Sequence, residues 1–204
     1  MARNEKAKGK IARRFGVNIF GNVKYDRLLK KKPKPPGEPK KGRIRQTEYA
    51  RQLAEKQKLK WAYGLSERQF RNLFYRAKSM KGVTGTNMLV LLERRLDNVV
   101  YRLGMAASRQ QARQLVSHGH VLHNGRKVTI PSAVVRPGDI IGARDRKTTR
   151  DLIRRLMAEN STRPVPPWLT ISKDDLQGTV SVLPTRDLIP TVAEEQAVVE
   201  FYSK

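Results

Sequence analysis

The side chains best suited to chemistry in this chain are Arg109 and Arg113, and the chemistry they suit is gripping phosphate. A guanidinium presents a planar fork of donors that matches a pair of phosphate oxygens. A spacing of four places both on one helical face, which predicts an outward-facing cationic pair. His118, His120, Asn124, Arg126 and Lys127 continue the polar run just downstream. Of these, His118 and His120, together with His123, are spaced closely enough to invite a metal ion. No carboxylate adjoins them in the sequence, and strand alternation sends His120 and His123 to opposite faces, so no metal or cofactor is expected. Asp174-Asp175 is an isolated acidic pair in a turn and reads as solvated. Gly82-Val83-Thr84-Gly85 is too short for a phosphate-cradling loop followed by its lysine. No serine has His and Asp partners and there is no cysteine, so no catalytic site is expected.

The elements that must hold these residues follow from periodicity. Leu92, Leu96, Val99, Val100 and Leu103 recur at helical spacing, which predicts one long helix from about Gly85-Thr86 to a stop at Gly104. Ser108 opens a capping box in which Gln111 reaches back to the cap. Ala112, Leu115 and Val116 form the inner face of this second helix. Val121-Leu122 enters a ribbon that turns at Asn124-Gly125, a pair tolerant of positive φ, and returns through Arg126-Lys127-Val128. Upstream, Tyr49, Leu53 and Ala54 mark a helix whose end is crowded by Lys56, Lys58 and Lys60. Ser66 and Gln69 form a second capping box, with Phe70, Leu73, Phe74 and Ala77 inward and Arg68, Arg71 and Lys78 outward. Asp151 to Glu159 reads as a short helix and Pro164, Pro166 and Pro167 as a stiff connector. Leu169-Thr170-Ile171 and Thr179-Val180-Ser181-Val182 alternate like short strands.

Composition bounds the partner. The chain holds 43 Lys+Arg against 18 Asp+Glu, a net charge of +25 with pI near 10.9. Residues 1–60 carry 20 basic and 5 acidic side chains, whereas residues 160–204 carry 4 and 6. The basic end calls for a polyanion, and nucleic acid is its natural partner. The acidic end, with Val198, Val199, Phe201 and Tyr202, reads as a segment that docks on protein. No run approaches the roughly 18 apolar residues of a spanning helix, and no lipidation signal is visible, so no membrane partner is expected. Aromatic residues make up only 6%, too few for base stacking to dominate affinity. Residues 1–46, rich in Lys and Pro, read as an extended basic arm with little to bury.

Several motifs resemble one family. They are Glu55-Lys56-Gln57-Lys58, Tyr63-Gly64, Glu67-Arg68-Gln69-Phe70-Arg71-Asn72, Lys81-Gly82 with Thr84-Gly85, the run Arg95-Leu96-Asp97-Asn98-Val99-Val100-Tyr101-Arg102-Leu103-Gly104, Ala112 to His118, and Val199 to Lys204. From about Lys10 to the end the chain is similar to the fourth protein of the small ribosomal subunit, in its cysteine-free form. That resemblance implies an α+β fold, mainly helical, with a two-helix-plus-ribbon RNA-binding domain and a basic N-terminal arm. The expected division is 1–46 arm, 47–91 helical domain completed by 185–204, 92–155 RNA-binding domain and 156–184 connector. It implies a cytoplasmic, non-enzymatic protein of the small subunit that binds the 5′ domain of 16S rRNA and nucleates assembly. It also implies contact with the neighbouring fifth protein, support of translational accuracy, and a place near the path by which mRNA enters.

The side chains expected on rRNA are Arg3, Lys10, Arg13, Arg14, Lys56, Lys58, Lys60, Arg68, Arg71, Arg109, Arg113, His118, His120, Asn124, Arg126 and Lys127. Arg43 and Arg45 match the family's mRNA-path arginines. Three departures stand out: the zinc-binding cysteines of one branch are absent, so zinc is not expected; the opening is Ala2-Arg3-Asn4; and the Pro-Gly turn reads Pro36-Gly37-Glu38-Pro39-Lys40. A free regulatory RNA-binding protein is the alternative reading. An RNA-modifying enzyme is another, because Arg95-Leu96-Asp97 resembles the catalytic aspartate motif of pseudouridine synthases. It lacks the Thr-Ser-Gly tail, and too little chain follows for a catalytic domain.

Overall fold

The computed structural model describes residues 7–37 and 47–203, so Arg3, Arg43 and Arg45 lie outside the described residues. In chain order the helices are α1 (Lys8–Phe15), α2 (Val23–Lys31), α3 (Glu48–Ala62), α4 (Glu67–Lys78), α5 (Thr84–Glu93), α6 (Leu96–Arg102), α7 (Arg109–Ser117), α8 (Lys147–Glu159) and α9 (Glu195–Ser203). The strands are β1 (Val121–His123), β2 (Arg126–Lys127), β3 (Ile140–Ala143), β4 (Leu169–Ser172) and β5 (Gln177–Val180). The chain forms two compact units. One runs to Met88 and resumes at Thr191; the other is Leu89–Pro190.

In the first unit, the basic stretch read as an arm contains α1 and α2. Helix α1 forms because Ile11 and Ala12 are buried and because Phe15 meets Trp61 of α3, ring centroids 5.5 Å apart. The apolar surface the arm lacks by itself is thus supplied by α3. Helix α4 begins with the expected capping box: the Ser66 hydroxyl accepts the Gln69 N–H, and the Gln69 carboxamide accepts the Ser66 N–H, both at 3.3 Å. The acidic C-terminal segment docks on its own chain. Helix α9 lies on α3 through Tyr49 and Phe201, ring centroids 5.5 Å apart, and Gln52 donates to Glu200 at 2.8 Å.

In the second unit, the single long helix expected through Leu103 is two helices. The chain turns extended at Arg95 (ψ 136°), which bridges Val134. Leu96 N–H donates to Ala133 O and Asp97 N–H to Pro131 O, so a returning segment occupies the groups a continuous helix would use. The ribbon is larger than expected: an antiparallel five-stranded sheet in the order β2-β1-β3-β5-β4. Its hairpin β4–β5 joins through Leu176, buried at φ 54°, which starts β5 at Gln177, two residues earlier than the alternation indicated. Helix α8 begins at Lys147, four residues before its expected start. The sheet packs on α6 so tightly that a Cβ at Gly178 would collide with Leu103. Leu96, Val99, Val116, Val121, Ile141, Ile153 and Trp168 share that core.

Candidate nucleic-acid interface

Two buried carboxylates organise the arginines of the second unit. Asp97, at the start of α6, accepts from Arg95 Nε and Nη2 at 3.0 and 2.7 Å and from Arg113 Nη1 at 3.3 Å. Glu93 accepts both nitrogens of the Arg102 fork, at 2.9 and 2.7 Å, and the Asn98 amide at 2.8 Å. Asn98 Oδ1 in turn accepts from Arg109 Nε at 2.8 Å, and the Arg109 guanidinium lies 4.6 Å from the Tyr101 ring centre. Arg109 and Arg113 are therefore half-buried and turned onto α6, not carried outward as the spacing of four predicted. Helical spacing places them on one face; the acceptors on α6 decide which way that face looks. The capping box is also altered: Ser108 accepts the Gln111 N–H, but the Gln111 side chain reaches past it to the Ala107 N–H at 2.8 Å. Asp97 is closed from solvent and both its oxygens are engaged by guanidiniums, which leaves it unsuited to attack a base.

A second group of cations gathers at the α7–β1 turn. Gly119 has φ 71°, and a Cβ there would collide with the Lys127 side chain, so Lys127 lies across the turn between His118 and His120. His120 Nδ1 is 3.1 Å from Thr149 Oγ1. Partial burial, then the charges of His118, Arg146 and Arg144, push the His120 pKa below its ordinary value. Arg144 and Arg146, exposed just after β3, were missed by the sequence reading. Their signal was the Arg144-Asp145-Arg146-Lys147 run directly after a strand. His123, expected to lack a carboxylate, has Asp139 Oδ2 at 2.8 Å from its Nε2, because β1 and β3 are paired across the sheet. Asn124, at φ 50°, uses its side chain within the fold: it accepts the Ile140 N–H and donates to Asp139, each at 2.8 Å. Arg126 and Lys127 are exposed. Among the described residues no group of three His, Asp or Glu side chains could hold a metal.

In the first unit the expected residues separate into two kinds. Lys56 is buried, its side chain 7% exposed, with Nζ 2.6 Å from Glu67 Oε1 and 4.5 Å from the Phe201 ring centre. Lys60 reaches the other Glu67 oxygen at 2.9 Å, and Lys58 reaches Glu55 at 2.6 Å. Burial alone would raise the Glu67 pKa, but the hydrogen bonds and charges of Lys56 and Lys60 outweigh it and hold the carboxyl at about 2. Tyr202 donates to Glu67 at 3.1 Å; burial, then the Glu67 charge, pushes its phenol well above the ordinary range. Arg13 donates to the carbonyls of Lys34 and Pro35, at 3.0 and 3.4 Å, tying α1 to the proline-rich stretch. Lys10, Arg14, Arg68 and Arg71 are exposed, and no ion pair among the described residues includes them.

Comparison with known proteins adds the following. Residues 3–93 match the family described as Ribosomal protein S4/S9 N-terminal domain, and residues 94–141 match the S4 domain. A small ribosomal subunit protein uS4 from Borrelia hermsii is 53% identical over 206 residues, covering 100% of this chain and 99% of the relative. The uS4 protein of Borrelia duttonii is 52% identical with the same coverage. That of Treponema pallidum is 50% identical over 202 residues, 98% of each chain.

Proposed function

We infer, for a chain that belongs to the family of small ribosomal subunit protein uS4, that its exposed cations grip the folded 5′ domain of small-subunit rRNA and hold it as a scaffold. The family is one of structural ribosomal proteins, not enzymes. The observation that carries the reading is the cationic surface of the second unit: Arg126, Lys127 and His118 are exposed, and Arg109 and Arg113 are part-exposed and fixed by Asn98 and Asp97. Fixed guanidiniums lose little freedom on binding, so most of the counterion-release free energy appears as affinity. Specificity comes from the spacing of separate patches against a folded junction, because the A-form major groove is too narrow for side chains to read. Lys10, Arg14, Arg68 and Arg71 are the corresponding contacts in the first unit.

The finer role follows from the same reading. Early binding to the 5′ domain would nucleate assembly of the small subunit in the cytoplasm. The neighbouring fifth protein would pack alongside, at an interface tied to accuracy. Arg43 and Arg45 would line the path by which mRNA enters. The decisive experiment titrates the protein against the folded 5′ domain, with an equal-length plain duplex as competitor, at salt high enough to suppress non-specific binding. A strong preference for the folded domain is expected. Equal affinity for both RNAs would reduce the chain to a non-specific polycation and overturn the reading.

A further inference from the structure

Helix α4 shows solvent a face that no carboxylate interrupts beyond its first residue, Glu67. Arg68, Arg71, Asn72, Tyr75, Arg76 and Lys78 are all exposed, while Phe70, Phe74 and Ala77 are buried on the opposite side. The helix's one acid, Glu67, is engaged by Lys56, Lys60 and Tyr202. At 3.6 residues per turn, Tyr75 falls at the middle of the exposed face, with Arg71 and Lys78 on one flank and Arg76 on the other. Arg68 lies two turns towards the N-terminus on the same line.

Tyr75 is 46% exposed, yet its ring is held in place. It packs edge-on against the buried Phe74, centroids 5.9 Å apart at 71°, and the Arg71 guanidinium lies 5.6 Å from its centre. None of the hydrogen bonds found among the described residues involves its hydroxyl. A protein partner covering this face would desolvate four cations, which is costly unless it brought as many carboxylates. A polyanion supplies the counter-charge along its whole length. An aromatic ring fixed among cations is the composition of a base-stacking platform, where a basic surface follows the backbone and the ring takes the base.

We propose that Tyr75 stacks on an unpaired base of RNA while Arg68, Arg71, Arg76 and Lys78 hold the phosphates on either side of it. This rests on the reading that the chain binds rRNA, and it adds the feature that α4 selects: a bulged or looped nucleotide, because a continuous stem keeps its base faces stacked inside. It also gives a role to an aromatic that composition had discounted.

The test uses the full chain and two short RNA hairpins that differ by one unpaired purine in the stem. Wild type is compared with Tyr75→Phe and Tyr75→Leu, the latter retaining an apolar side chain at helical propensity; circular dichroism checks that each is folded. Wild type should prefer the bulged hairpin, and Tyr75→Leu should lose about tenfold in affinity for it while binding the plain hairpin unchanged. Tyr75→Phe should behave as wild type. The slope of log affinity against log salt should be the same in all three, since no charge is removed. Equal binding of both hairpins by wild type, an equal loss on both RNAs in Tyr75→Leu, no loss on either, or a Phe variant as weak as the Leu variant would overturn the stacking assignment. Each of those results leaves the preference for the folded 5′ domain standing, so the two readings fail separately.

Discussion

Helices α3 and α4 follow one another in the chain, and both read as cationic in the sequence. Their cations do different work. On α3, Lys56, Lys58 and Lys60 each sit within 2.6–2.9 Å of a carboxylate of the same unit. On α4, Arg68, Arg71, Arg76 and Lys78 pair with no carboxylate among the described residues. The α3 lysines hold the unit together through Glu67 and Glu55, while the α4 arginines are left exposed with no carboxylate beside them among the described residues. Arg95 and Arg102 of the second unit belong with α3 in this respect, because Asp97 and Glu93 enclose them, whereas Arg113 keeps more of its side chain exposed while Asp97 holds it. A count of basic residues therefore overstates the interface. The position of the carboxylates divides cations engaged within the fold from cations left exposed.

The largest effect should come from removing a carboxylate that holds buried arginines. Asp97→Ala leaves Arg95, itself buried, without its acceptor, and should cost about 3 kcal/mol, read from the shift in the urea unfolding midpoint. A loss as small as that of a surface substitution would show that these arginines are not structural after all.

A smaller effect is expected at Glu67, whose side chain is 48% exposed, so that solvent screens part of its pairing. Glu67→Gln should cost about 1 kcal/mol at neutral pH. The sign with pH follows from the carboxyl being held at about 2 rather than its ordinary 4.5. Its contribution is fully present above pH 4.5 and is lost as pH falls towards 2. Wild type should therefore lose stability more steeply than Glu67→Gln across that window. Parallel acid-unfolding curves would mean that Lys56 and Lys60 do not depend on Glu67.

The smallest effect on stability, and the clearest on binding, is expected on α4. Arg68→Gln with Arg71→Gln should leave the unfolding free energy within about 0.5 kcal/mol of wild type. The same pair should lower the salt slope of RNA binding by about two units at most, one for each phosphate contact removed. A stability loss comparable to that of Glu67→Gln would erase the distinction between the two helices.

Much of this was readable in advance where the rule is local. The Ser66 capping box, the Asn124-Gly125 turn and the inward set Phe70, Phe74 and Ala77 depend on neighbours a few residues away, and they stand in the structure as the spacing indicated. The failures of tertiary placement share one cause, a partner distant in sequence. The break at Arg95 depends on a segment some 35–40 residues later, reaching back through Ala133 and Pro131. Helix α1 of the basic stretch depends on Trp61, and the docking of α9 depends on α3. His123 gained its carboxylate only when β3 was laid beside β1.

By itself, then, the sequence determined the chain's charge, its mainly helical α+β class, its capping and turn chemistry, and its membership of a ribosomal protein family. Those are properties of composition, short-range spacing and ordered motifs. Only the tertiary structure decided which cations face solvent, because an ion pair forms wherever packing brings a carboxylate within reach, whatever the distance along the chain. Burial then fixes the outcome: Lys56 is enclosed by Glu67 and Phe201, while Arg68 and Arg71, one helix later, are exposed and pair with no carboxylate among the described residues.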